Sequence, residues 1–171
     1  MSAYLDLGAG FSDDGIHRYW LSRRLSMGER SVLFIGLNPS TADAVKDDPT
    51  IRKAAGFARR WGFDWLYMGN LHAYRSTDPK GLRGLTAGLA IGPGNTEALR
   101  WMVGRVELVI AAWGANPLHP EADILANWIL GLSHCRTFGT TKDGKPPHPL
   151  YLPYETQLVE VHMSTRLEIR A

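Results

Sequence analysis

Val32-Leu33-Phe34-Ile35-Gly36-Leu37-Asn38-Pro39-Ser40 is the stretch on which the fold turns. Val32 to Gly36 is an unbroken apolar run, the pattern of a strand covered on both faces, and it stops in a polar Asn-Pro-Ser turn. Strands buried on both faces belong to parallel α/β sheets, where ligands bind at the carboxyl ends of the strands. Asn38 stands at such an exit, where its amide can read an amide or nucleobase edge. Pro39 fixes φ, so that the loop beyond follows one path.

Outward from this strand, apolar runs and helical spacing alternate. Asp48-Pro49 opens a helix that carries Ile51, Ala54, Ala55 and Ala58 on one face as far as Trp61-Gly62. Asp64 to Gly69 reads as a second strand ending in Asn70, Glu107 to Ala112 as a third ending in Trp113-Gly114, and His134 to Phe138 as a fourth. Helical spacing over Asn95 to Gly104 and Glu121 to Leu130 separates them. Asp78 to Gly94 reads as a long loop with one helical turn, and Gly139 to Pro153 as a loop dense in Gly, Pro and basic residues. The expected fold is a three-layer α/β/α sandwich around a central, mainly parallel four-stranded sheet. His17 to Leu25 alternates like an exposed or antiparallel edge strand and adds an N-terminal edge. One domain over 1–171 is expected, with 1–28 accessory and 29–160 the α/β core.

Composition narrows the function classes. At 171 residues, 44% hydrophobic and 21% charged, the chain suffices for one buried core. A formal net charge of +2 permits nucleic acid as a partner without demanding it. Cys135 is the single cysteine, which excludes an internal disulfide, a cysteine-ligated zinc site and an iron–sulfur cluster. No apolar run reaches membrane-spanning length, and the start of the chain lacks the basic and apolar regions of a secretory signal, so cytoplasm is the expected compartment. No cofactor is called for, and no feature speaks to oligomeric state.

In a parallel sheet the four strand exits lie on one edge. Gly36-Leu37-Asn38-Pro39-Ser40, Asn70 with Tyr74 and Arg75, Trp113-Gly114 and the His148-Pro149-Leu150 loop are therefore expected to converge, although they lie far apart in sequence.

Two resemblances attach to these residues. The order of motifs resembles the uracil-DNA glycosylase superfamily over about residues 32 to 152. Its Gly-x-Asp/Asn-Pro motif is similar to Gly36-Leu37-Asn38-Pro39, its base-reading Asn to Asn70, its Leu-Trp-Gly to Ala112-Trp113-Gly114, and its His-Pro-Ser-Pro-Leu to His148-Pro149-Leu150. That resemblance implies a site for a nucleobase, a nucleotide or DNA, in repair or modification. Asn38 would orient water, Asn70 would read the base, and His148 would donate to a base oxygen as charge builds. The chain departs from the pattern with Asn38 for the Asp of the fastest members, Ser40 for Tyr or Gly, and no Ser-Pro after His148-Pro149, so uracil itself is a poor expectation. A longer resemblance, on Leu37-Asn38-Pro39-Ser40-Thr41-Ala42-Asp43, Asp48-Pro49-Thr50 and Asn70 to Arg75 with Thr77-Asp78-Pro79, is to a bacterial and phage family of unknown function, domain-of-unknown-function family 1643. It names no activity.

The chemistry leaves alternatives. An amide orients water but does not take its proton, so Asp43 or Asp48 is either the base or a metal ligand. Each candidate also has a plainer role. Asn38-Pro39 is a turn dipeptide, Asn70 can bond its own backbone, Asp48 fits an N-cap, Asp43 fits a loop clamp and Trp113 fits the core. Arg75 beside Tyr74 suits a phosphate or a surface ion pair equally. Besides the glycosylase-like hydrolase, two readings stand. One is a metal-dependent hydrolase of phosphate substrates on Asp43, Asp47 and Asp48, suited to Mg²⁺ or Mn²⁺; the other is a binding module without turnover.

Overall fold

The computed structural model describes residues 4–161; residues 1–3 and 162–171 of the expected domain lie outside it. Seven strands form one mixed sheet: β1 (Asp6–Phe11), β2 (Arg18–Arg24), β3 (Ser31–Gly36), β4 (Trp65–Asn70), β5 (Leu108–Ala111), β6 (Cys135–Thr137) and β7 (Val159–Glu160). Their order is β1-β2-β4-β3-β5-β6-β7. Pairing is parallel from β4 through β3 and β5 to β6, and antiparallel at β1–β2, β2–β4 and β6–β7. The expected four-stranded, mainly parallel sheet is thereby overturned, as is the N-terminal edge strand. β2 lies inside the sheet between β1 and β4, with Arg18 and Arg23 almost wholly buried. Charged residues in a strand read as solvent-facing unless tertiary partners are known, and β1 carries too many glycines to announce itself.

β3 is buried at every position, as its apolar run requires. Val32 and Phe34 pack with Ile51, Ala54, Phe57 and Ala58 of α1 (Pro49–Arg60), whereas Leu33 and Ile35 face α3 (Asn95–Val103) and α4 (Pro120–Leu130) through Leu99, Met102, Leu125 and Ile129. Helix α1 starts where Asp48 accepts the Ile51 N–H at 2.9 Å with Pro49 in the first turn, and it ends at Trp61 before Gly62, whose φ of +72° stops the helix. Between β4 and α3 the chain makes a 3₁₀ turn over Pro79–Gly84 and the short α2 (Ala87–Ile91).

One irregularity matters for the site. Phe11 pairs with Arg18 and Gly10 with Trp20, so Tyr19 is an extra residue in β2, a β-bulge. Two residues apart on a regular strand, Arg18 and Trp20 would share a face. Instead Trp20 packs beside Trp101 of α3, while the Arg18 guanidinium donates to the Ala42 carbonyl on the α1 side.

Candidate functional site

The exits of β3 and β4 run together. Leu71 N–H donates to Gly36 O at 3.0 Å, His72 N–H to Leu37 O at 2.9 Å and Ser76 N–H to Pro39 O at 2.9 Å. The Asn38 side chain completes this seam by donating from Nδ2 to Ser76 O at 2.9 Å and Pro39 O at 3.2 Å. Two carbonyl acceptors fix which end of the amide is nitrogen, so Oδ1 is the end left to accept. The β4 exit is also gripped from α3, where Asn95 Nδ2 donates to Asn70 O at 3.0 Å and Leu71 O at 3.2 Å.

β5 leads into Trp113 and Gly114, and Gly114 N–H donates to Pro146 O at 2.8 Å, tying this exit to the loop that carries His148. His148 precedes a 3₁₀ turn over Pro149–Tyr151, and its Nδ1 accepts from the Leu150 N–H at 3.3 Å. The ring proton then belongs on Nε2. Burial holds the imidazole below its ordinary pKa, with the Asp48 charge acting in the opposite direction, so the neutral form dominates near neutral pH.

These exits enclose a cavity of about 440 Å³, within the range of ligand sites. Of the residues singled out in the sequence, Gly36, Leu37, Asn38, Ser40, Asp48, Asn70, Trp113, Gly114 and His148 line it. Pro39, Asp43, Tyr74 and Arg75 do not. Asn70 is 3% exposed, and its Nδ2 has no hydrogen-bond partner, a buried donor that the described protein leaves unmet. Tyr151, 82% exposed, stands at the mouth.

The three carboxylates proposed as a metal cluster serve separate partners. Asp43 Oδ1 accepts from the Val45 and Lys46 amides, which hold its carboxyl below the usual range. Asp47 forms an ion pair with the buried Arg23 at 2.8 Å and accepts from the Tyr4 hydroxyl. Asp48 caps α1, yet it alone of the three also lines the cavity. Among the described residues no group of three His, Cys, Asp or Glu side chains is placed to hold a metal ion. No helix among them is long and apolar enough to cross a membrane.

Two histidines sit behind the β3 exit. His72, fully buried, lies 3.3 Å from Leu37 O through Nδ1 and 3.2 Å from His119 Nδ1 through Nε2, and His119 Nε2 is 3.0 Å from Leu85 O. His119 is therefore a bonded partner of this network.

Sequence reasoning missed Arg18, which lines the same cavity and is 2% exposed. The only hydrogen bond of its side chain among the described residues is Nη1 to Ala42 O at 3.0 Å, its Nε has no partner, and it makes no ion pair there. Its pKa is lowered to about 10, chiefly by burial and also by Arg75 and Arg23, with Asp48 and Asp43 opposing the fall. The sequence signal for this residue was absent, because the bulge at Tyr19 is what turns it inward.

The family described as a protein of unknown function (DUF1643) matches residues 18–150, more than half of the chain. The chain belongs to that family. The DUF1643 match begins at Arg18 and ends at Leu150, so it contains every cavity residue named above except Tyr151. Comparison with curated proteins and with solved structures gave no match.

Proposed function

We propose that the cavity binds a nucleobase or nucleotide and hydrolyses its N-glycosidic bond, in the manner of the uracil-DNA glycosylases that its motifs resemble. The observation that carries this reading is the meeting of Asn38, Asp48, Asn70, Trp113 and His148 around one cavity of about 440 Å³, large enough for a base and its sugar. The unmet Asn70 donor suits a base edge, and the Trp113 indole offers a wall against which a base stacks.

The chemistry divides among these groups. A water accepted by Asn38 Oδ1 attacks the anomeric carbon as positive charge develops on the sugar, and its proton passes to the Asp48 carboxylate. The carbon–nitrogen bond breaks and its electron pair leaves with the base. His148, neutral with Nε2 protonated, hydrogen-bonds to a base oxygen as that charge appears. The departing base anion then takes up the proton held on Asp48, which restores the carboxylate. Asp43 has no part in this, being clamped to loop amides outside the cavity.

The test is a panel of deaminated and modified bases, supplied as nucleosides, nucleotides and single- and double-stranded DNA, with release of free base as the readout. Release that falls by about a hundredfold or more in Asn38→Ala supports the assignment. Release that persists in that variant removes Asn38 from the water-positioning role. Binding without release by the wild-type chain would show a binding module, and neither binding nor release by any member of the panel would end the reading.

A further inference from the structure

A guanidinium buried without a counter-charge is unfavourable, because its lost hydration is not replaced. Arg18 comes close to that position: 98% of its surface is hidden, one carbonyl accepts from it, Nε bonds to nothing described, and no carboxylate lies within ion-pair distance, Asp48 and Asp43 acting on it only from farther away. The contrast with Arg23 on the same strand is direct, since Arg23 is fully buried but satisfied by Asp47, Asp43 O and Ser22 O. Arg75 sharpens the imbalance. It is a second cation felt by Arg18, it too makes no ion pair among the described residues, and its Nε is also unpartnered. The β-bulge at Tyr19 re-aims Arg18 from the α3 side of the sheet to the cavity, a use to which bulges near sites are put.

We infer that Arg18 is the anion-binding residue of the cavity and that it takes the terminal phosphate of a mononucleotide. The inference rests on the nucleotide reading above and narrows it. A neutral base or nucleoside leaves the buried charge unmet, whereas a phosphate monoester or a carboxylate supplies the missing counter-charge and accepts from several guanidinium N–H groups at once. Of these two sources the phosphate is the one favoured by a cavity large enough for a base and its sugar with an unmet Asn70 donor. An internal phosphodiester is a poor fit, because it carries an ester substituent on each side and Arg18 is 2% exposed. The ligand class is thus a free mononucleotide, or a strand end bearing a monoester, in preference to the interior of DNA.

Calorimetric titration and thermal shift of the full chain test this with five probes: a nucleoside, its 5′-monophosphate, a short oligonucleotide without terminal phosphate, inorganic phosphate and acetate. Wild type is expected to bind the monophosphate at least about tenfold more tightly than the nucleoside or the oligonucleotide. The preference should vanish in Arg18→Gln, which removes the charge and keeps a polar amide, and in Arg18→Met, which removes the charge and every donor. Without ligand, Arg18→Met should unfold at a higher temperature than wild type, because an unpaired buried charge has gone. Equal binding of nucleoside and monophosphate by wild type overturns the inference without any variant. So does a monophosphate preference that survives both substitutions, the result expected of a merely structural Arg18. Tighter binding of acetate than of phosphate replaces the phosphate by a carboxylate and overturns the mononucleotide. Nucleoside binding without a phosphate preference leaves the base reading standing and removes the Arg18 role. Stabilisation by inorganic phosphate that depends on Arg18, with no response to any nucleoside or nucleotide, does the reverse.

Discussion

Gly114 and His148 occupy one space: a Cβ on the glycine would lie 2.7 Å from the Cβ of the histidine. The φ of +73° at Gly114 compounds the restriction, since L side chains rarely adopt it. The end of β5 and the loop bearing His148 are thus held together by the absence of a side chain. Gly114→Ala is expected to displace His148, with a stability loss of about 1–3 kcal/mol and a larger proportional loss of base release. Urea unfolding together with the base-release assay measures both; an unchanged assay would detach His148 from the reaction.

The proposed reaction uses the Oδ1 end of the Asn38 amide, while the structure holds the Nδ2 end. Asn38→Asp puts a carboxylate oxygen where Nδ2 now donates to Ser76 O and Pro39 O. Oxygen against two carbonyls is repulsive, so this variant should lose about 1–3 kcal/mol of stability and gain no activity from its carboxylate. A faster Asn38→Asp variant in the release assay would contradict that geometry.

Asp48 caps α1 and, in the proposed reaction, also takes the proton of water; substitution separates the two. Asn caps helices about as well as Asp, so Asp48→Asn should keep α1 capped and lose only the support its charge gives Arg18, while abolishing the proposed proton removal from water. Asp48→Ala should lose both, at about 1 kcal/mol for the cap. Full activity in Asp48→Asn would restrict this residue to the cap.

Acid should weaken the fold through His72. Burial is the main cause that lowers its pKa from 6.5 to about 4, and the neighbouring His119 adds to the fall. Between those values the unfolded chain binds more protons than the folded one. The stability contributed by keeping His72 neutral is thus complete above pH 6.5 and is lost as pH falls toward about 4, by roughly 3 kcal/mol in all. His148, also lowered by burial, acts with the same sign. Urea midpoints at about pH 7.5 and about pH 5 should show the loss, and His72→Gln should flatten it. A midpoint that rises on acidification would contradict the assignment.

Arg23 and Asp47 form a buried pair at 2.8 Å, and Asp47→Ala leaves a fully buried guanidinium without its carboxylate. A loss of about 3–5 kcal/mol is expected. The same variant tests the metal reading, because a cation held by Asp47 would make the protein's melting temperature depend on Mn²⁺ in wild type and not in Asp47→Ala. No Mn²⁺ dependence is expected in either.

How much was legible depends on where each signal resides. The β3 run, the Asp48-Pro49 start of α1 and the exits at Asn38, Asn70 and Trp113 are local features, written in consecutive residues by hydrophobic periodicity and turn chemistry. The seven-stranded mixed sheet was not, because β1 is rich in glycine and β2 in arginine, and each becomes a strand by pairing with a neighbour. Asp43 and Asp48, five residues apart and alike in type, were inseparable until the chain turned one toward loop amides and the other toward the cavity.

The amino-acid sequence by itself determined the apolar strand, its polar exit and a set of polar and aromatic residues spaced so that parallel pairing would gather them. Tertiary structure alone decided that a buried, unpaired Arg18 joins them. A bulge is a property of two strands in register, and the need for a counter-charge is a property of the space around a side chain; neither exists until residues distant along the chain are brought together.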